Sequence, residues 1–287
     1  MYRNQKIGIV ILNYKDSRTV INLINLISNY KVIDKIVIVD NLSPDDSFKK
    51  LKTLKNNIID IIQTDKNGGY SYGNNFGAFY LMKNYDSDII FIANPDVIFD
   101  ENFIKVSIDS LIDYSIQAIS GIMLDKKGNK IEYLGKINSY IEDILECTIF
   151  IKKIMKRFYS YKFNEDDHLI FCEMLAGSLF AIKAEIYKEI GGLDENVFLY
   201  FEESILGMKF KQYNYKLAIN KNISFYHMHS VSINKSLTKI KQVKQFYKSC
   251  LYFNETYRKI GLIRKFIMKI FMLYGICARK ILYRILY

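Results

Sequence analysis

Two adjacent acids, Glu202 and Glu203, follow the apolar run Phe198-Leu199-Tyr200-Phe201 and lead into a segment of helical spacing. A carboxylate held in such a partly dry position has its pKa raised toward working pH, which suits a general base. The same pair would also suit the first turn of a helix, where acids complement the dipole. Downstream, His227 and His229 are two of only three histidines in the chain. On an extended strand such an i, i+2 pair points to one face, where it could serve a metal or form a structural pair. Asn94-Pro95-Asp96 interrupts an apolar run that starts at Ile89 and resumes through Phe99. All three residues favour a turn, yet a carboxylate placed there beside a diphosphate would need a divalent cation between the two negative groups. The loop from Asp65 to Asn75 contains Gly68-Gly69 and leads into a helix. Free N–H groups at that helix start, with Ser71, Asn74 and Asn75 nearby, could receive a phosphate; a plain turn is the commoner use of such a loop.

The elements that must position these groups follow from hydrophobic patterning. Ile/Val-rich runs recur at Lys6–Asn13, Lys35–Asn41, Ile58–Thr64 and Asp88–Asn94, separated by segments of helical length such as Ser17–Asn29 and Ser71–Asn84. Strands apolar on both faces and alternating with helices call for a parallel sheet covered on both sides, hence an α/β, Rossmann-like, mostly parallel sheet that binds ligands at its carboxyl ends. Polar residues cluster at those ends: Asn13-Tyr14, Asp40-Asn41 with Ser43-Pro44, the Gly68-Gly69 loop, and Asn94-Pro95-Asp96. Asp100–Tyr114 reads as a helix with Asp100 as N-cap. Met174–Ile182 reads as a small-residue strand, followed by a helix ending at Gly191-Gly192. No GxGxxG follows the first strand and no GxxxxGK[ST] occurs, so a dehydrogenase or P-loop enzyme lacks its phosphate cradle.

At 287 residues, half of them hydrophobic, the chain can bury a sizeable core. Its four cysteines are scattered, which fits reduced cytosolic thiols better than a disulfide framework or a zinc site. The formal charge of +11 is uneven. Residues 231–287 hold 13 basic residues against the single acid Glu255, a net of +12, whereas the preceding 230 residues net −1. The basic residues of the tail alternate with apolar ones, as in Ile263-Arg264-Lys265-Phe266-Ile267-Met268-Lys269. Such interleaving favours an amphipathic helix on an anionic membrane over a nucleic-acid partner. The longest uncharged apolar run, Ile270–Ala278, is nine residues, against roughly 20 needed to cross a bilayer. The N-terminus reads as a first strand and not a signal peptide, which places the protein in the cytoplasm at the inner face of the membrane.

Taken in order, VILNYK, VIVDNLSPD, NGGYSYGNNFG, NPDV, AGSLFAIKAEIYKEIGGLDENVFLYFEE and YHMHSVS resemble the family 2, GT-A fold nucleotide-sugar glycosyltransferases, in particular a bacterial rhamnosyltransferase-like branch that builds cell-surface polysaccharides. The resemblance covers roughly residues 5–235 and implies a transferase domain over 1–234 with a helical, basic extension over 235–287. By position it implies that Asp40 holds the donor's base with Asn13, Tyr14 and Asn41 alongside, and that Asn67, Gly69, Asn74, Asn75 and Asn94 line the donor crevice. Asp96 would hold Mg²⁺ or Mn²⁺ together with His227 or His229, and Glu203, or Glu202 in its place, would be the base. Glu203 stands where the family usually has Asp, and His229 where relatives often have Glu. The implied reaction is an inverting transfer from dTDP-rhamnose to a lipid-linked saccharide. UDP-linked galactose, glucose, N-acetylglucosamine or galactofuranose would need the same residues, and a non-catalytic nucleotide-sugar-binding or membrane scaffold could retain the fold.

Overall fold

The computed structural model describes residues 1–131, 135–148, 168–228 and 238–286. His229, the 234/235 boundary and the basic stretch 149–163 lie outside the described residues. The four expected Ile/Val runs form β1 (Ile7–Asn13), β2 (Lys35–Asp40), β3 (Ile59–Gln63) and β4 (Ile89–Ala93), connected by α1 (Ser17–Ile27), α2 (Ser47–Lys52) and α3 (Gly69–Tyr85). They pair in parallel in the order β3-β2-β1-β4. Alternation along the strands covers both faces. Ile7, Ile9 and Ile11 pack with Val20, Leu23 and Ile27 of α1, while Val10, Val37 and Val39 pack with Ala78 and Leu81 of α3. Helix α3 lies unusually close to the sheet because Gly77 faces it: a Cβ there would come within 2.6 Å of Val10.

Beyond β4 the sheet becomes mixed. The chain continues through β5 (Val97–Ile98), α4 (Glu101–Asp113), β6 (Ala118–Leu124), α5 (Tyr140–Cys147), β7 (Leu169–Cys172), β8 (Leu179–Lys183), α6 (Ala184–Glu189), α7 (Glu202–Gln212) and β9 (Leu217–His227). Strand β8 lies antiparallel between β4 and β6, β9 runs parallel to β6, and β5 and β7 pair antiparallel with β9. Asp100 caps α4 as its position predicts, its Oδ1 accepting the Phe103 N–H at 2.8 Å. The expected strand Met174–Ile182 is shorter than its composition indicates. Met174–Ser178 is a loop and only Leu179 onward is strand, because the small residues there permit a close approach: a Cβ on Gly177 would lie 3.1 Å from Glu203 Oε1.

Two further helices, α8 (Lys239–Thr256) and α9 (Leu262–Leu286), form a second core with α5 built on Ile144, Cys147, Tyr247, Cys250, Met268 and Met272. Helix α8 is fastened to the sheet-bearing part. Ser249 Oγ donates to Leu199 O at 2.8 Å, Tyr252 and Tyr257 both donate to Asp194 Oδ2, and Asn254 and Arg258 hold the buried carboxylate of Asp143 on α5. Helix α9 meets α5 at Gly275, where a Cβ would stand 2.1 Å from Cys147 O, and Arg279 donates to that same carbonyl at 2.9 Å. A cation at the C-terminal carbonyls of α5 complements its dipole.

Candidate active site

The polar strand ends sort into two places. At the ends of β1, β2 and β3, Asp40 is fully buried and saturated. Its Oδ1 accepts from Asn13 Nδ2 at 2.7 Å, and its Oδ2 accepts from the Ser43 amide at 3.0 Å and Gln63 Nε2 at 2.9 Å. Asn13 stands opposite Asp40 in the β1–β2 register, which is why the two side chains meet. Asn41 donates to Asn67 Oδ1 and to Gly69 O, both at 3.0 Å, and accepts from Thr64 Oγ1. These residues therefore knit three loops into one crevice wall. Tyr14 follows directly, with Lys15 Nζ 5.3 Å from its ring centroid.

Groups at the start of α3 have internal partners. The Gly69 N–H turns to Asn67 Oδ1, and the Tyr70 N–H donates to Phe198 O at 3.0 Å, so the first two amides of the helix are engaged within the protein. Gly69 is required here by its φ of +89° and by a Phe198 carbonyl 2.1 Å from where a Cβ would be. Asn75 does not face the crevice as a free amide. It donates to Leu193 O and Glu195, and it accepts from the Leu193 N–H and the Tyr187 hydroxyl, pinning the loop after α6. Asn74 donates to Tyr70 O at 3.0 Å, while its buried Oδ1 has no hydrogen-bond partner among the described residues.

The second place is a cleft of about 500 Å³ at the ends of β4, β8 and β9 and the start of α7; its lining includes Asn94, Gly177, Ser178, Glu202, Glu203 and His227. Proline ends β4, and the chain then resumes as β5, which pairs with the end of β9 so that Val97 stands opposite His227. That pairing brings His227 Nε2 to 3.4 Å from Asp96 Oδ2, with both side chains largely buried. One carboxylate and one imidazole are hard and borderline ligands that suit Mg²⁺ or Mn²⁺. No group of three or more His, Cys, Asp or Glu gathers among the described residues. The pair thus fits an ion that takes its other ligands from substrate phosphate oxygens and water.

The chain enters α7 through two consecutive left-handed residues, Tyr200 and Phe201, each at φ 71°. For side chains of that size this costs roughly 1–2 kcal/mol apiece, strain that persists only where the surroundings impose it. The two acids that follow differ sharply. Glu202 is 8% exposed, its Oε1 has no hydrogen-bond partner among the described residues, and burial, with the neighbouring Glu203 charge adding to it, pushes its pKa to about 8. Glu203 Oε1 accepts the Gly177 N–H at 2.6 Å. A group that must take a proton has to be ionised at the working pH, a condition that burial makes harder for Glu202 to meet.

Sequence reasoning missed Tyr70, whose hydroxyl donates to Gly177 O beneath the acids, although it lies inside the quoted glycine-rich loop. It also missed Lys136, Asn138, Glu146 and Phe246, which complete the lining and carry no local signature.

The sequence model of glycosyl transferase family 2 matches residues 8–191. The low-salt glycan biosynthesis hexosyltransferase Agl10 of Haloferax volcanii is 27% identical over 199 residues, which is 69% of this chain; the chain spans only 59% of that relative's length. Among solved structures, GalNAc-T7 with UDP, GalNAc and Mn²⁺ superposes with a TM-score of 0.60 at 14% identity, covering 89% of this chain and 49% of that one. The mannosyltransferase PcManGT from Pyrobaculum calidifontis, in complex with GDP-Man and Mn²⁺, gives 0.59 at 12% identity, covering 97% of this chain and 74% of that one. At these identities the structural likeness establishes the shared GT-A fold.

Proposed function

Because the chain belongs to glycosyl transferase family 2 and is a glycosyltransferase, we propose that it moves a sugar, with inversion, from a nucleoside-diphosphate sugar to a hydroxyl of a lipid-linked saccharide. The rhamnosyltransferase-like motifs favour dTDP-rhamnose as donor. The observation that carries the reading is the placement of the Glu203 carboxylate, held on the Gly177 N–H, in the same cleft as Asn94 and His227, with Asp96 against His227.

In this reading the crevice wall of Asn13, Asp40, Asn41 and Asn67 receives the donor's base. Asp40 acts there through the amides it orients, since both of its carboxylate oxygens are already engaged. Asn94 leads the donor from that wall into the cleft. A divalent cation held by Asp96 and His227 would supply positive charge for the diphosphate. Glu203 takes the proton from the acceptor hydroxyl as its oxygen attacks the anomeric carbon from the face opposite the diphosphate, and a single displacement inverts the configuration. Glu202, its pKa pushed by burial to about 8, is mostly protonated at neutral pH and keeps a second negative charge out of the cleft.

Helix α9 supports a membrane location. No described helix is long and apolar enough to cross a bilayer. With Met268, Met272 and Gly275 turned inward, the helix leaves Leu262, Ile263, Phe266, Ile270 and Leu273 facing solvent, the first at 84% exposed. Arg264, Lys269 and Lys280 flank them. A helix so divided lies in the plane of an anionic surface.

Thermal unfolding with UDP-, GDP- and dTDP-sugars, each with and without Mn²⁺, tests the donor. A ligand that binds only the folded state raises the midpoint, so the proposal expects dTDP-rhamnose with Mn²⁺ to give the largest rise. A larger rise with a UDP-hexose would move the assignment to that donor, and no rise with any nucleotide sugar would sink the transferase reading. For the membrane, flotation with vesicles containing phosphatidylserine should carry the protein upward, and Phe266→Asp with Leu273→Asp should leave it at the bottom. Equal flotation with purely zwitterionic vesicles, or none, would count against the anionic surface.

A further inference from the structure

The metal pair and the base account for only part of the cleft lining. The remainder comes from the segment leading into and through α5, namely Lys136, Asn138 and Glu146, and from an aromatic group formed by Tyr200 with Phe246 of α8. We propose that this remainder is the acceptor subsite and that it takes a pyranose ring packed against Phe246. This rests on the transferase reading above and adds to it the place where the acceptor binds and the residue that recognises it.

Position is the first support. The base must touch the acceptor hydroxyl, and Glu203 sits two residues after the strained Tyr200-Phe201 pair. Phe246 packs on both: its ring centroid is 5.7 Å from that of Tyr200, at 70°, and 5.3 Å from that of Phe201. Phe201 is also 5.3 Å from Phe253, one helical stretch further along α8, and Ser249 between them bonds Leu199 O at 2.8 Å. Three points of α8 thus hold the peptide that carries the base. Phe246 is itself only half-buried, so part of its ring lines the open cleft.

Chemistry is the second support. A groove for a bare alkyl chain has no use for an ammonium, an amide and a carboxylate, and a site for a polyanion would not place Glu146 on its wall. Aromatic carbon beside Lys136, Asn138 and Glu146 matches a ring that shows C–H groups on one face and hydroxyls around its edge. Such sites are largely apolar, with a few polar groups fixing orientation. Neither α5 nor α8 shows this pattern in its own sequence; it arises only where the two helices meet the start of α7.

Saturation-transfer NMR with methyl hexopyranosides of glucose, galactose, mannose, rhamnose and N-acetylglucosamine, each with protein and one of UDP, GDP or dTDP plus Mn²⁺, tests the assignment. At least one glycoside should show transfer to its ring C–H protons. Phe246→Leu, which keeps volume but removes the flat face, should weaken that binding about fivefold, in line with the loss of one aromatic contact, and Phe246→Tyr should restore it. Glu146→Gln, which leaves the ring in place, should change which glycoside binds best. The unfolding midpoints of the variants report that they fold. Binding by no glycoside, or binding indifferent to Phe246→Leu, would overturn the subsite. Failure of every nucleotide to stabilise the wild type would instead overturn the transferase reading on which it rests.

Discussion

Asp40 and Glu202 are both buried carboxylates at the ends of one sheet, yet their surroundings are opposite. Asp40 receives three hydrogen bonds, from Asn13, Ser43 and Gln63. Glu202 is buried with an unpartnered oxygen behind two strained residues, and its pKa is driven up to about 8. The first arrangement stabilises the fold and shapes a wall. The second costs stability, and such cost is tolerated where chemistry needs it. Carboxylate burial by itself therefore says little; the completeness of the surrounding hydrogen bonds separates the scaffold end of the crevice from the reactive end.

The largest expected effect lies at the reactive end. Glu203→Gln should lower turnover on the order of 10²–10⁴-fold while donor binding, read by thermal shift, stays near the wild-type value. Transfer that survives the change would remove Glu203 from the base role. A matched pair of isosteric changes then tests the contrast itself by denaturant unfolding. Asp40→Asn turns an acceptor of three hydrogen bonds into a group with its own donors and should destabilise by about 2–3 kcal/mol. Glu202→Gln should do the reverse, and only at higher pH. The folded pKa of Glu202 lies near 8, above its ordinary 4.5, so the wild type holds its full stability below about pH 4.5 and loses it progressively as pH rises toward 8. The variant lacks that loss and should be the more stable protein at pH 8 by on the order of 1–2 kcal/mol, less than the whole shift because Gln retains a buried polar group. Destabilisation by Glu202→Gln at pH 8 would erase the distinction between the two ends.

The parallel half of the fold was legible in the sequence because β1, β2 and β4 are apolar on both faces and stop at polar residues. Asp100 was legible as a cap because capping is local. Local pattern could not distinguish Asn74 from Asn75 within one glycine-rich loop. The partners of Asn75 are Tyr187 and Leu193, more than a hundred residues away, and that distance makes it a bolt. The Ala-Gly-Ser run before β8 has the composition of a strand but serves close approach to Glu203. Phe246 was invisible for the converse reason: its helix is patterned like any amphipathic basic segment, and its place in the cleft depends on the left-handed turn at Tyr200-Phe201.

The pairing of β5 with β9 has a kinetic corollary. Two ladder pairs, Val97 with His227 and Ile98 with Tyr226, together with the Met228 N–H bond to Asp96 O at 2.9 Å, hold Asp96 beside His227. So short a ladder opens far more readily than the five-pair junction of β1 with β4. In the proposed reading, a cation held by Asp96 and His227 would tie the ends of this short ladder together.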